Sequence, residues 1–308
     1  MVAEDGRRRL AAGEGTRTEL ADAAASLASA RAELFAADGR EYVIVTREGG
    51  PTPAPWCNVM ANDRLGTVVS ESMAGYTWFE NAHEFRLTPW HNDPVADSGG
   101  EAFYLRDEDT GYVWSPLPLP RRGRGAYRTR HGFGYSVFEH DEGDIRSELT
   151  VFVASEDAVK FSRLVLTNRG ARTRQLSATA YVEWVLGDMR AKTAPHLCTE
   201  IATDTGAVLA RNRYSNHFGD WVAFLDIDEV DRQAATVTCD RDEFIGRNGS
   251  LRKPAAMRRA NLSGRSGVAL DACAAMQVPV RLEPGQSREI TFRLGMGRSF
   301  VADTAGRK

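Results

Sequence analysis

Residues Gln175–Val185 read QLSATAYVEWV. Leu176, Ala178, Ala180, Val182 and Trp184 alternate with Ser177, Thr179, Tyr181 and Glu183, the period of two that a strand needs when one face meets a core and the other is polar. Trp184 falls on the core face and Glu183 on the polar one. Working outward, the same β character recurs in short segments rich in Val, Ile, Tyr, Phe and Thr: Tyr42–Val45, Phe103–Arg106, Tyr135–Glu139, Ile145–Val153, Val159–Asn168, Trp221–Asp226, Met276–Leu282 and Glu289–Leu294. Gly, Pro, Asn and Asp punctuate them. The pattern predicts an all-β chain of antiparallel strands, and over about 260 residues it exceeds a seven-strand sandwich, so one large sandwich of two packed sheets is expected. Val159 and Phe161 fall out of phase with Leu164 and Leu166, which predicts a bulge or bend near Ser162. Residues 246–264, GRNGSLRKPAAMRRANLSG, have little β character and read as a long loop crossing the edge of the sheets.

The N-terminal part differs in kind. Residues 1–15 are charged and rich in Gly and Ala, a frayed leader, and Thr16 with Glu19 fits a capping box that opens a helix over Thr16–Ala36. Leu20, Leu27 and Leu34 give that helix a narrow apolar stripe, so it needs a docking partner. The domain division is therefore 1–37 for leader and helix, 38–297 for the sandwich and 298–308 for a tail.

Composition narrows the function classes. A chain of 308 residues that is 42% hydrophobic buries a substantial core. The 39 basic and 42 acidic residues leave a net charge of -3, which gives no general reason to bind nucleic acid or an anionic membrane. No apolar run is long enough for a membrane span or a secretory signal, so a cytoplasmic location is expected. Cys57, Cys198, Cys239 and Cys273 are scattered without metal-site spacing, and they read as free thiols. No metal and no cofactor is expected.

The residues that suggest a ligand lie in Ser70–Pro94, SESMAGYTWFENAHEFRLTPWHNDP. Trp78 and Trp90 offer flat faces for the apolar side of a sugar ring, while Glu80, Arg86 and Asp93 offer directional hydrogen bonds to hydroxyls. Salt bridges around Arg86 would use the same residues structurally. A second stretch, Tyr127–Tyr135, has Gly132 and Gly134 where a sharp turn would project Arg130 and His131 from a strand end into a cleft; an ordinary hairpin explains it equally. Arg121-Arg122-Gly123-Arg124-Gly125 could contact phosphate, although a solvated hairpin tip is the plainer account. No nucleophile elbow, phosphate loop or other self-contained catalytic set is present, and no catalytic residue is assigned.

Ordered motifs across the chain carry a resemblance: Asp38–Ile44, Thr52–Trp56, Gly75–Trp78, Arg86–Trp90 with Asn92–Pro94, Arg130–Gly132 with Gly134-Tyr135, Tyr181–Gly187, and Thr205–Ala207 with Ala210–Asn212. Together they resemble the phosphorylase-like region of the cyclic β-1,2-glucan synthases, similar to the cellobiose and chitobiose phosphorylases of glycoside hydrolase family 94. The resemblance covers about residues 38–297. It implies a galactose-mutarotase-type β-supersandwich that precedes linker helices and an (α/α)6 barrel, and a reaction of inverting phosphorolysis or transfer on β-linked glucosides. The catalytic carboxylate and most phosphate ligands would lie in that barrel, which has no counterpart here, so the chain reads as a fragment, inactive alone.

Partners implied in this way are a β-linked glucan or gluco-oligosaccharide, the absent barrel and a second copy of the chain, with no nucleic acid. The resemblance also allows a parent enzyme associated with an inner membrane. Trp78, Arg86, Trp90 and Asp93, with Arg130 and His131, would then shape one wall of the sugar site. Two alternatives remain open: a free-standing β-glucan-binding module, or an aldose-epimerase-like enzyme with His131 as acid and Glu183 as base.

Overall fold

A computed structural model describes residues 33–36, 38–47 and 50–298. Strands form where side chains alternate: β1 Glu33–Phe35, β2 Glu41–Thr46, β3 Cys57–Ala61, β4 Leu65–Ser70, β5 Gly75–Phe79, β6 Glu101–Asp107, β7 Val113–Trp114, β8 Tyr127–Gly132 and β9 Tyr135–Glu142. They continue with β10 Ile145–Val153, β11 Val159–Asn168, β12 Arg174–Glu183, β13 Leu197–Ile201, β14 Val208–Asn212, β15 Trp221–Ile227, β16 Thr236–Asp240, β17 Ala272–Leu282 and β18 Ser287–Arg298. Every registered pairing among them is antiparallel, so the chain is all-β as its alternation requires.

The two large sheets are a ten-stranded one, β1-β2-β8-β9-β10-β11-β18-β15-β14-β13, and a five-stranded one, β16-β17-β12-β6-β7. A third sheet, β3-β4-β5, was not anticipated. One hydrophobic core joins all three: Leu149, Leu164 and Phe292 meet Leu105, Ala178, Val182 and Met276, with Met60, Leu65 and Phe79 from the small sheet.

Strand β12 shows how the sequence sets this packing. Leu176, Ala178, Ala180, Val182 and Trp184 all enter the central core, as their spacing requires. The opposite face is also covered. Residues 246–264 do not cross a sheet edge but lie over this face, where Tyr181 packs with Tyr104, Phe244, Met257, Leu262 and Cys273 in a second cluster. Tyr181 stacks on Phe244 with centroids 4.6 Å apart. The large apolar residues Leu251, Met257 and Leu262 explain why a segment without β character still docks.

The expected bulge at Ser162 is absent. β11 keeps one register against both β10 and β18. Its inward residues are Lys160, Ser162, Leu164, Leu166 and Asn168, so the phase break came from a lysine and a serine on the core face. Val159 and Phe161 face outward, where Phe161 stacks on Phe152 at 5.1 Å.

Two boundaries also move. The helix expected over Thr16–Ala36 lies outside the described residues except at its end, where Glu33–Phe35 pairs with β2 as a strand. At the other end, β18 runs through Arg298, beyond the expected Leu294. Among the described residues, no helix is long and apolar enough to cross a membrane.

Candidate functional site

The small sheet builds the site. In β5, Thr77 and Phe79 are fully buried, which sends Tyr76 and Trp78 to the outer face. Trp78 pairs with Gly66 in β4, and its indole lies across that glycine; a Cβ there would overlap the ring. Residues 85–88 run beside β5: the Leu87 and Thr88 amides donate to the Thr77 carbonyl at 2.8 and 3.3 Å, and the Thr77 amide to Thr88 Oγ1 at 2.8 Å. Arg86 lies directly opposite Trp78 in this pairing, on the same face.

The result is a row of rings. Tyr76 sits 5.3 Å from Trp78 and 4.8 Å from Trp90, both tilted by about 35°. Both indoles are half-buried, and the Arg86 guanidinium lies 5.9 Å from the Tyr76 ring. Arg86 is held by two backbone carbonyls, Nε donating to Ala82 at 3.2 Å and Nη1 to Asp188 at 3.3 Å. No carboxylate among the described residues pairs with it. Burial pushes the Tyr76 hydroxyl above its ordinary range, with Arg86 opposing, so Tyr76 is a neutral ring at neutral pH.

Beside the row, Trp90 leads into a cleft of about 420 Å³ whose polar groups come from Asn92, Asp93, Asp97 and Ser98. Asp93 Oδ1 accepts from the Val95 and Ala96 amides at 2.9 and 3.3 Å and so shapes the loop. Asp97 accepts from Ser70 Oγ at 2.7 Å, and burial raises its pKa.

The other residues singled out in the sequence lie elsewhere. Glu80, in the left-handed region at φ 59°, pairs with Arg64 at 3.1 Å in a different cleft with Trp221 and Arg298. Arg130 and His131 are neighbours within β8, so they point to opposite faces and do not project together. The hairpin turn comes after them, at Phe133 and Gly134, where φ is 83°. Arg130 bonds Glu41 at 2.7 Å and Glu139 at 3.2 Å.

His131 has both ring nitrogens engaged, Nε2 with the Trp56 carbonyl at 3.0 Å and Nδ1 with Ser136 Oγ at 2.8 Å. A carbonyl accepts only, so Nε2 carries the proton and Nδ1 accepts from the serine. Burial lowers its pKa, opposed by the Trp56 bond. The carboxylate of Glu183 is gripped by Arg190 and Arg241, each at 2.8 Å, and Asp271 closes the ring by pairing with both arginines. Neither group is free in the way an acid or base of an epimerase-like site would be.

The structure thus gathers Trp78, Arg86 and Trp90, puts Asp93 in the adjoining cleft and Glu80 in a different one, and ties Arg130 to Glu41 and Glu139 and His131 to Trp56 and Ser136. Tyr76 and Gly66 are the members not singled out. The alternation in Gly75–Phe79 was the available signal for Tyr76, whereas Gly66 becomes legible only once β4 is paired with β5. Among the described residues, no three or more His, Cys, Asp or Glu converge as a metal-binding group.

Comparison with known proteins follows from this geometry. The family model described as the glycosyl hydrolase 94 supersandwich domain matches residues 40–305. The chain is 38% identical over 263 residues to the cyclic beta-(1,2)-glucan synthase NdvB of Rhizobium meliloti (strain 1021), covering 85% of this chain and 9% of that protein. It is 26% identical over 275 residues to an N,N'-diacetylchitobiose phosphorylase of Vibrio proteolyticus, covering 86% of this chain and 33% of that one. Among solved structures, a galactose mutarotase related enzyme from Lactobacillus acidophilus superposes with a TM-score of 0.48 at 7% identity, over 79% of this chain and 97% of that one. The chain therefore spans 9% and 33% of the lengths of these two curated relatives.

Proposed function

The chain belongs to the glycosyl hydrolase 94 supersandwich domain family, and from that membership we propose that its small sheet presents a binding wall for β-linked gluco-oligosaccharides. Trp78 and Trp90 stack on the C–H faces of glucose units, Tyr76 spaces and backs them, and Arg86 donates to hydroxyls from beside the row. Asn92 and Asp93 reach the next unit from the adjoining cleft.

The observation that carries this reading is the tilted row Trp78–Tyr76–Trp90 with a guanidinium at its side that has no carboxylate partner among the described residues. Its two backbone bonds hold the guanidinium in place beside the rings while leaving other N–H donors for a ligand. The relatives point the same way, one being named for a β-1,2-glucan and one for diacetylchitobiose. The chemistry of those proteins is assigned here to their parts that this chain does not match. Mixed with glucose 1-phosphate and a β-linked glucose acceptor, the chain releases no phosphate; appreciable release would overturn that assignment.

Calorimetric titration with β-1,2-gluco-oligosaccharides tests the binding. Heat of binding is expected, and Trp78→Ala or Trp90→Ala weakens it by about tenfold, the worth of one stacked aromatic contact. Absence of heat at millimolar ligand removes the proposal.

A further inference from the structure

A second cleft borders the one beside Trp90, sharing Ala54, Pro55, Pro94 and Asp97 with it, and takes half of its lining from prolines and cations. Its volume is about 800 Å³. Five short stretches wall it: Thr46 and Arg47 at the end of β2 with Pro51, Thr52, Ala54 and Pro55, then residues 71–72, 94–97, 118–122 and 250–253. Five of the chain's 12 prolines face it, Pro51, Pro55, Pro94, Pro118 and Pro120. Each ring fixes its own φ, so the walls are largely set before any ligand arrives.

The charges are one-sided. Among the described residues, Arg47, Arg121, Arg122, Arg252 and Lys253 face the cleft against Glu71 and Asp97, a local excess of three positive charges in a chain whose net charge is -3. Both carboxylates are already in use. Glu71 is buried and accepts from Thr52 Oγ1 and, at 2.7 Å, from the Trp56 amide. Asp97 holds Ser70.

Among the described residues, the side chains of Arg121, Arg252 and Lys253 have no carboxylate within ion-pair distance, although Arg121 is half-buried. Arg122 is fixed beside them: Nη2 donates to the Thr46 carbonyl at 2.8 Å and its guanidinium lies 4.8 Å from the Tyr127 ring. Arg252 and Lys253 are exposed, but half-burying the Arg121 guanidinium without an anion costs solvation that an incoming anion recovers, and a cleft lined by one sign of charge concentrates that anion.

We propose that this cleft is a binding site for a small polyanion, a ligand carrying two or more phosphate or carboxylate groups, with Arg121, Arg252 and Lys253 as its charged contacts. Arginine suits either group, since its fork meets two oxygens at once. The site adjoins the cleft beside Trp90, but its charged contacts are not those of the glucoside-binding row and it does not rest on that reading.

Titration of the full chain with pyrophosphate and, separately, with citrate tests it, followed by calorimetry at about 50 mM salt. Binding of either probe is expected, weakening as salt rises, with cellobiose giving no competition. The Arg121→Gln/Arg252→Gln variant should bind at least about tenfold more weakly, and Arg121→Lys/Arg252→Lys should keep part of the affinity because it keeps the charge. If only one probe binds, the site is a phosphate or a carboxylate site accordingly. No binding of either probe at 10-fold molar excess and about 10 mM, or binding that neither variant changes, overturns the proposal.

Discussion

Replacing Lys160 by methionine removes the one cation of a polar network sealed between the sheets. Lys160 is 2% exposed and Glu101 is 9% exposed. The ammonium pairs with Glu101 Oε2 and reaches Thr77 Oγ1 at 3.0 Å and Thr67 Oγ1 at 3.2 Å. Glu101 Oε1 accepts from Thr77 at 2.7 Å and Thr88 at 3.0 Å. Methionine fills a similar volume, so no large cavity adds to the cost. What remains is a buried carboxylate with two hydroxyl donors and no countercharge, worth about 3–5 kcal/mol of lost stability. With an m-value of about 3 kcal/mol/M in urea, that moves the unfolding midpoint down by about 1–1.7 M.

The double variant Lys160→Met/Glu101→Gln separates charge from packing. A neutral amide oxygen still accepts from Thr77 and Thr88, so the double variant should lose only about 1–2 kcal/mol and be more stable than Lys160→Met alone. A Lys160→Met midpoint within about 0.3 M of the parent, or a double variant as weak as the sum of its singles, would refute the reasoning.

Two further outcomes follow from the site. Gly66→Ala should push the Trp78 indole off β4, costing about 1–3 kcal/mol and weakening oligosaccharide binding together with a change in tryptophan fluorescence; unchanged titration curves would show the indole position is not set by this glycine. His131 has a lowered pKa, so the folded state holds fewer protons there than the unfolded chain. Its contribution to stability is present above the unfolded value of about 6.5 and is lost as the pH falls through that value toward the folded one. His131→Gln should flatten the stability curve between about pH 5 and 7, and parallel curves for parent and variant would count against the assignment.

Sequence alternation revealed the strands whose inner residues are large and apolar. β12 was legible because Leu176, Val182 and Trp184 carry the core face, and β10 because Leu149 and Val151 do. It failed where an inward position is polar. Lys160 and Ser162 made β11 look bent, and Thr67 and Thr77, both fully buried, hid the pairing of β4 with β5. In β8 the glycines at 132 and 134 drew the reading to the turn and to Arg130 and His131 at a strand end, although Tyr127 and Thr129 already face inward on either side of Arg128. The ring row was visible as composition, since Trp78, Arg86 and Trp90 crowd one stretch. Its arrangement was not, because it depends on a partner strand and on a bridge from Arg86 to Gly187, about a hundred residues away. The cationic cleft was the least legible, being assembled from five stretches far apart in the chain.

The polar network that obscured the small sheet also connects it to the rest of the fold. Thr77 lies between Tyr76 and Trp78, so the residue that tethers β5 inward to Lys160 and Glu101 is the residue that sends both rings outward. Lys160 comes from the ten-stranded sheet, Glu101 from the five-stranded one and Thr67 and Thr77 from the small one, so a single cluster fixes where the ring row stands relative to both large sheets. Apolar contacts alone would hold the small sheet with little directional preference, because burial is roughly proportional to area and tolerates sliding. A charge-assisted network does not, since a shift of a residue leaves a buried charge unpaired. The expense of burying Lys160 therefore has a positional return: it fixes the register of β5, and with it which two aromatic residues face outward beside Arg86.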